Sequence, residues 1–353
     1  MGGALALLTL IFLSFMAAGY FSPIDAKPAS KPVTYGAIGV RANSIDYFEY
    51  GSPTKNVFGR LKYLGGLSLR SNHSEFGGIS GIELGASGKK IMAVSDGGVW
   101  LTGDLIYQGS KPVGIKNAAI SPLRALNGRL LKRKREKDAE GIALLNGTPN
   151  KGTVLISFER THRIGRFPVT TKGIGTPKNY LRFPKGMKKL KRNKGLEAIT
   201  LLKGGRYKGR VLAFAERKLS KKGHLKGWIM LGKKAKKIKL KRLGGFDVTD
   251  LASLPNGDVL VLERRFRWSE GIQMRLRLIP IGDLVSGSVI TGETLLEADG
   301  GFAIDNMEGM AVHTSKSGNT VITLVSDDNF SILQRTLLLQ FELLKKSKLV
   351  TAR

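Results

Sequence analysis

Four stretches of the chain, VLISF (154–158), VLAFA (211–215), VLVLE (259–263) and VITLV (321–325), are apolar at nearly every position instead of alternating with polar residues. Runs this short and apolar on both faces read as fully buried strands, since a helix needs more residues and an edge strand would alternate. Each run is preceded by a turn and by another apolar stretch that opens on a small or acidic residue. The pattern therefore predicts antiparallel hairpins, in which the start of the first strand lies beside the end of the second.

The hairpin unit recurs five times, at residues 77–96, 140–160, 197–217, 250–264 and 308–328. The separation is 19 residues from Gly77 to Asp96, Glu140 to Glu159, Glu197 to Glu216 and Glu308 to Asp327, and 13 from Asp250 to Glu263. The fourth copy is shortened at Leu-Pro-Asn-Gly-Asp (254–258), a tight-turn sequence. Successive copies start 53 to 63 residues apart, the length of a four-stranded blade with one longer loop. The expected fold is all-β, a β-propeller of four-stranded antiparallel blades, which buries such sheets face to face without long edges. Strand-like runs at 35–40, 45–50 and 61–69, with a terminal strand at 337–344, would close the ring as a sixth blade shared by both termini. Six is the preferred blade count and five the alternative.

In a radial arrangement the acids at the same end of each hairpin point into one mouth. They are Asp96, Glu140, Glu159, Glu197, Glu216, Asp250, Glu263, Glu308 and Asp327. Carboxylates gathered in this way demand cations. Arg160, Arg217 and Arg264 directly follow glutamates in three copies, and Ca²⁺ favours clustered carboxylate oxygens. The bland reading is that each acid caps its hairpin by pairing with arginine or a backbone amide. His162 lies two residues past Arg160 and is a candidate acid, base or substrate contact near the mouth.

The N-terminus has a different character. Residues 3–18 form an uncharged apolar run, followed by Pro23, Pro28 and Pro32. Shorter than a ~20-residue membrane span, the run reads as a signal peptide or an N-terminal anchor over 1–26. The remainder divides into a linker and closing strand (27–59), the propeller (60–345) and a tail (346–353). The expected location is periplasmic or secreted, with an N-terminal membrane tether as the alternative.

Composition narrows the chemistry. The 353 residues contain no cysteine, which removes disulfide scaffolds, thiolate metal sites and thiol catalysis. There is no His-Glu-x-x-His, Gly-x-Ser-x-Gly, Walker or dinucleotide-binding motif. Of the 58 Lys and Arg, 38 lie in residues 111–242 against 6 acids, so this sector carries the whole excess of the +31 net charge. Its densest runs are at 132–137, 185–194 and 233–242, and the first two immediately precede the Glu140 and Glu197 copies. A basic rim there would steer anions into the mouth or touch an anionic envelope surface. Nucleic acid is not expected, because the basic runs hold few aromatics.

The motif order Asp-Ala-Glu-Gly-Ile-Ala (138–143), Ser-Phe-Glu-Arg (157–160), Gly-Leu-Glu-Ala-Ile (195–199), Leu-Glu-Arg (262–264), Asn-Met-Glu-Gly-Met (306–310) and Val-Ser-Asp-Asp-Asn (325–329) resembles the phytase-like esterase domain family of exported bacterial proteins. The resemblance spans roughly residues 60–345 and implies Ca²⁺-dependent hydrolysis of a phosphate ester, such as an inositol-phosphate-like anion. On that reading Glu159, Glu216 and Glu263 are catalytic. Arg160, Arg217, Arg264 and His162 bind substrate. Asp96, Glu140, Glu197, Asp250, Glu308, Asp327 and Asp328 lie on the metal side, where Asp96-Gly97 and Asp327-Asp328 replace Glu-Arg. The alternatives are a propeller lactonase or carboxyl-ester hydrolase, and a non-catalytic envelope-binding propeller that uses its basic sector.

Overall fold

The computed structural model describes residues 35–345 apart from 186, 188, 189, 191 and 192. The predicted segment 1–26 and tail 346–353 lie outside the described residues. Within them the chain forms five antiparallel sheets. From the inside outward, blade 1 is Ile79–Leu84, Lys90–Ser95, Val99–Gln108 and Lys111–Pro122, with Gly36–Ala37 at its rim. Blade 2 is Ala139–Thr148, Lys151–Phe158, Arg163–Thr170 and Gly173–Ile174. Blade 3 is Leu196–Leu201, Val211–Leu219, Leu225–Leu231 and Lys234–Leu240, edged by the parallel strand Val289–Ile290. Blade 4 is Asp247–Ser253, Val259–Arg267, Gly271–Ile279 and Glu293–Ala298.

Blade 5 joins both ends of the chain. Its inner strands are Met307–Thr314, Thr320–Ser326 and Thr336–Leu343, and its outer strands, Leu61–Arg70 and Arg41–Ile45, come from the N-terminal part. Of the runs expected to make a sixth blade, those at 61–69 and 337–344 complete the fifth hairpin's own sheet with Arg41–Ile45 at its edge, and the run at 35–40 adds Gly36–Ala37 to the rim of blade 1, so the ring has five blades, the smaller of the two counts. Phe48 holds this closure, with its ring 5.0–5.6 Å from those of Phe58, Tyr63, Phe302 and Phe341. Burying aromatic area between segments distant in sequence offsets the entropy of closing the ring.

The ring is closed because each inner strand touches those of both neighbouring blades, and blade 5 touches blade 1. Five core clusters lie one at each blade interface. The doubly apolar strands explain this arrangement. In blade 2, Val154 and Ile156 pack towards blade 1, while Leu155 packs towards blade 3. Side chains alternate along a strand, so a blade with two apolar faces contributes to two interfaces at once.

Candidate functional site: a bulged ring of acids at one mouth

Every inner strand breaks its register near the same end, between Ile79 and Gly81, at Ala139–Ile142, between Leu196 and Ile199, between Val248 and Asp250, and between Met307 and Gly309. A β-bulge re-aims the extra residue's side chain. The equivalent bulged residues are Ser80, Glu140, Glu197, Thr249 and Glu308. Beside them, one residue beyond the register pair that flanks the bulge, stand Asp96, Glu159, Glu216, Arg264 and Asp327, of which Arg264 alone is itself paired, with Asp247. The amides of Asp96, Glu159, Glu216 and Asp327 donate to the carbonyls of Gly78, Asp138, Gly195 and Asn306 respectively.

This equivalence corrects two of the sequence alignments. In the first copy the counterpart of Glu140 is Ser80, three residues after Gly77. In the fourth copy the counterparts of Glu140 and Glu159 are Thr249 and Arg264, each displaced by one residue from Asp250 and Glu263. A shift of one residue turns a strand side chain to the opposite face. Asp250 and Glu263 therefore do not join the mouth. Asp250 accepts hydrogen bonds from the amides of Leu251 at 2.8 Å and Met310 at 2.7 Å, fastening blade 4 to blade 5. Glu263 is fully buried against Arg277, with Arg275 at 3.9 Å. Asp328 is likewise a fastening, accepting from the Gly78 amide at 2.9 Å and the Thr336 hydroxyl at 2.8 Å.

The remaining acids converge. Asp138, Glu140 and Glu159 each present an oxygen within 4.8 Å of the others, and so do Glu159, Glu197 and Glu216. Glu159 belongs to both groups, and its Oε1 accepts from the Gly195 amide at 2.6 Å. Burial, followed by the charges of Asp138 and Glu216, pushes Glu159 up to about 7 despite that hydrogen bond. Glu140 and Glu197 are raised well above the usual carboxylate range by burial first and then by neighbouring charges, Glu197 and Glu308 acting on Glu140, and Glu216 and Glu159 on Glu197. On the far side of the ring, Asp327 is pushed up to about 8 by burial and then by Glu308 and Asp96.

Cations thread between these acids. Lys134 bridges Asp96 and Asp138, and Arg160 Nε donates to Asp138 at 2.6 Å. Arg217 pairs with Asp247, the blade 4 counterpart of Asp138. Arg264 bonds Asn306 and lies 3.1 Å from Glu308, while Glu216, Glu197 and Asp327 also act on it electrostatically. Lys194 approaches Glu216 at 3.8 Å. Lys134 and Lys194, from the first two basic runs, thus reach the mouth, whereas the third run supplies the blade 3 strand Lys234–Leu240 and ends on Arg242, which pairs with Asp247 at 2.9 Å. His162 sits half-buried in the turn after Lys151–Phe158.

Asp138 is the ring acid that hairpin spacing overlooked, although it opens the Asp-Ala-Glu-Gly-Ile-Ala motif. The donor set fits a hard divalent cation such as Ca²⁺. In both groups the converging ligand atoms are carboxylate oxygens, and Glu197 Oε2 is buried without a hydrogen-bond partner.

Comparison with solved structures finds a β-propeller domain and a glutaminyl cyclase, both at low identity. The β-propeller domain of Myceliophteria thermophila Cps50 (Swd1) is 11% identical over 84% of this chain and 99% of that one, with a TM-score of 0.38. Myxococcus xanthus glutaminyl cyclase is 12% identical over 76% of this chain and 92% of that one, with a TM-score of 0.40. Comparison with curated protein sequences gives no match. Residues 74–330, which hold all five hairpins and the acid ring, match the family described as "Phytase-like: Esterase-like activity of phytase". The chain belongs to this phytase-like family.

Proposed function

We propose that the protein is an exported, Ca²⁺-dependent hydrolase of anionic phosphate esters, working at the acid-ringed mouth. The observation that carries this reading is the position of Glu159, shared between two groups of three carboxylates. Asp138, Glu140, Glu159, Glu197 and Glu216 would hold the cation. When bound, Ca²⁺ supplies positive charge to the ester's phosphoryl oxygens.

The chain's own residues set up the rest. The Gly195 amide fixes Glu159 Oε1, so the carboxylate enters the reaction already oriented. Burial and the charges of Glu308 and Asp96 push Asp327 up to about 8, which lets its carboxyl give a proton to a leaving oxygen near neutral pH. Arg264 places a guanidinium among acids of blades 3 and 5, where it can share its charge with a phosphoryl group. Lys134, Arg160 and Arg217, each between 39% and 47% exposed, make a positive rim that draws anions inward. Export, to the periplasm or beyond, rests on the apolar run at residues 3–18.

The test is phosphate release from phytate and from an aryl phosphate, with Ca²⁺ titrated and Glu159→Gln as control. Release that requires Ca²⁺ and is lost in the variant is expected. A folded protein that binds no Ca²⁺ and releases no phosphate at any Ca²⁺ concentration overturns the proposal.

A further inference from the structure

Two loops on the mouth face carry large apolar side chains left in water. In blade 4 the second strand runs past Arg264 and turns at Trp268, which is 95% exposed, with Phe266 at 55% and the two ring centroids 5.4 Å apart. In blade 5 the chain runs past Asp327 into a loop bearing Ile332 and Leu333, which are 99% and 88% exposed. Each loop continues a second strand beyond its ring residue, so both project from the same face on neighbouring blades. Isolated exposed hydrophobics are ordinary, but almost bare Trp, Ile and Leu concentrated on one face are not.

The other side of the same mouth is basic. Arg133 and Arg135 lie in the linker that enters blade 2, Lys194 precedes blade 3, and Lys221 and Lys222 form the blade 3 turn beyond Glu216; all are exposed. Aromatic and aliphatic tips beside exposed cations match a lipid interface with anionic headgroups, where Trp favours the boundary and Lys and Arg meet phosphates. The apolar residues stand on separate hairpin and loop tips, a shape suited to entering a bilayer surface.

We propose that the mouth face docks on an anionic lipid bilayer, with Phe266, Trp268, Ile332 and Leu333 entering the headgroup layer. The docking is independent of the esterase reading and does not require turnover. Trp268 supplies the probe, because the other two tryptophans, Trp100 and Trp228, are buried. The full-length chain is mixed with phosphatidylglycerol or phosphatidylcholine vesicles containing lipids brominated near the carbonyl. Expected on phosphatidylglycerol are a blue shift of Trp268 emission and at least twofold quenching, both absent in Trp268→Phe. Ile332→Ser/Leu333→Ser and Lys221→Glu/Lys222→Glu should each reduce the quenching several-fold while leaving phosphate release from a soluble ester unchanged. Because the readout sits at residue 268, retention on vesicles through another segment does not satisfy it. Vesicle-bound protein whose Trp268 emission is neither shifted nor quenched overturns the proposal. So does a lipid-independent blue shift that grows with protein concentration, which would assign the face to a second copy of the chain.

Discussion

Arg264 stands where blades 2 and 3 place Glu159 and Glu216, and its guanidinium lies 3.1 Å from Glu308 of the next blade. One position of the ring thus carries the opposite charge, and it lies among acids whose own carboxyls are raised by burial and repulsion. Removing this cation leaves buried carboxylates uncompensated. Arg264→Met should cost about 3 kcal/mol of stability at neutral pH without Ca²⁺. Added Ca²⁺ should restore part of the loss, as read from urea unfolding with chelator and with metal.

Glu263 supplies the contrast. Its salt bridge with Arg277 is fully buried away from the mouth. Arg277→Met should destabilise by about 3–5 kcal/mol by stranding the carboxylate, and adding Glu263→Leu should recover most of that loss. Ca²⁺ affinity measured by titration calorimetry on folded protein should stay unchanged in the double variant. A tenfold loss of affinity there would return Glu263 to the site.

The pH dependence follows from the raised ring acids. Glu159 titrates at about 7 and Asp327 at about 8 in the folded protein, both above their unfolded values. The folded state therefore binds more protons than the unfolded state in this interval, and stability falls as pH rises. That contribution is complete below about pH 4 and is lost as pH passes through 7 to 8. In chelator the melting temperature should fall from pH 5.5 to 8.5. With Ca²⁺ the fall should be much smaller, because the cation favours the charged carboxylates. Equal slopes with and without metal would show that the ring does not hold the ion.

The bulges also require small neighbours. A Cβ at Gly141 would lie 2.9 Å from the carbonyl oxygen of Glu197 and 2.9 Å from Ser157 Oγ, inside the contact between blades 2 and 3. Gly141→Ala should cost about 1–3 kcal/mol and weaken Ca²⁺ binding by moving the strand that carries Glu197. Thermal unfolding and metal titration on the same sample test both effects, and an unchanged melting temperature would remove the packing explanation.

The hairpins could be read from sequence because burial on both faces leaves a local mark, as in residues 154–158 and 321–325. So could the acids Glu140, Glu159, Glu197, Glu216, Glu308, Asp327 and Asp96, since the strand ends of a hairpin meet even where a bulge intervenes. The blade count was less legible. Whether the strands Leu61–Arg70 and Arg41–Ile45 make a new sheet or extend the fifth depends on pairing with Thr336–Leu343, a contact between opposite ends of the chain.

Local sequence thus determined the doubly apolar strands, the tight turns, the repeat and the supply of carboxylates and cations. The tertiary structure alone decided which of those charges meet. In blade 4 one bulge and one step of register set Thr249 and Arg264 at the mouth and turned Asp250 and Glu263 into the protein. The physical reason is the two-residue period of a strand, which makes the direction of a side chain depend on register, and register is fixed by packing against neighbouring blades.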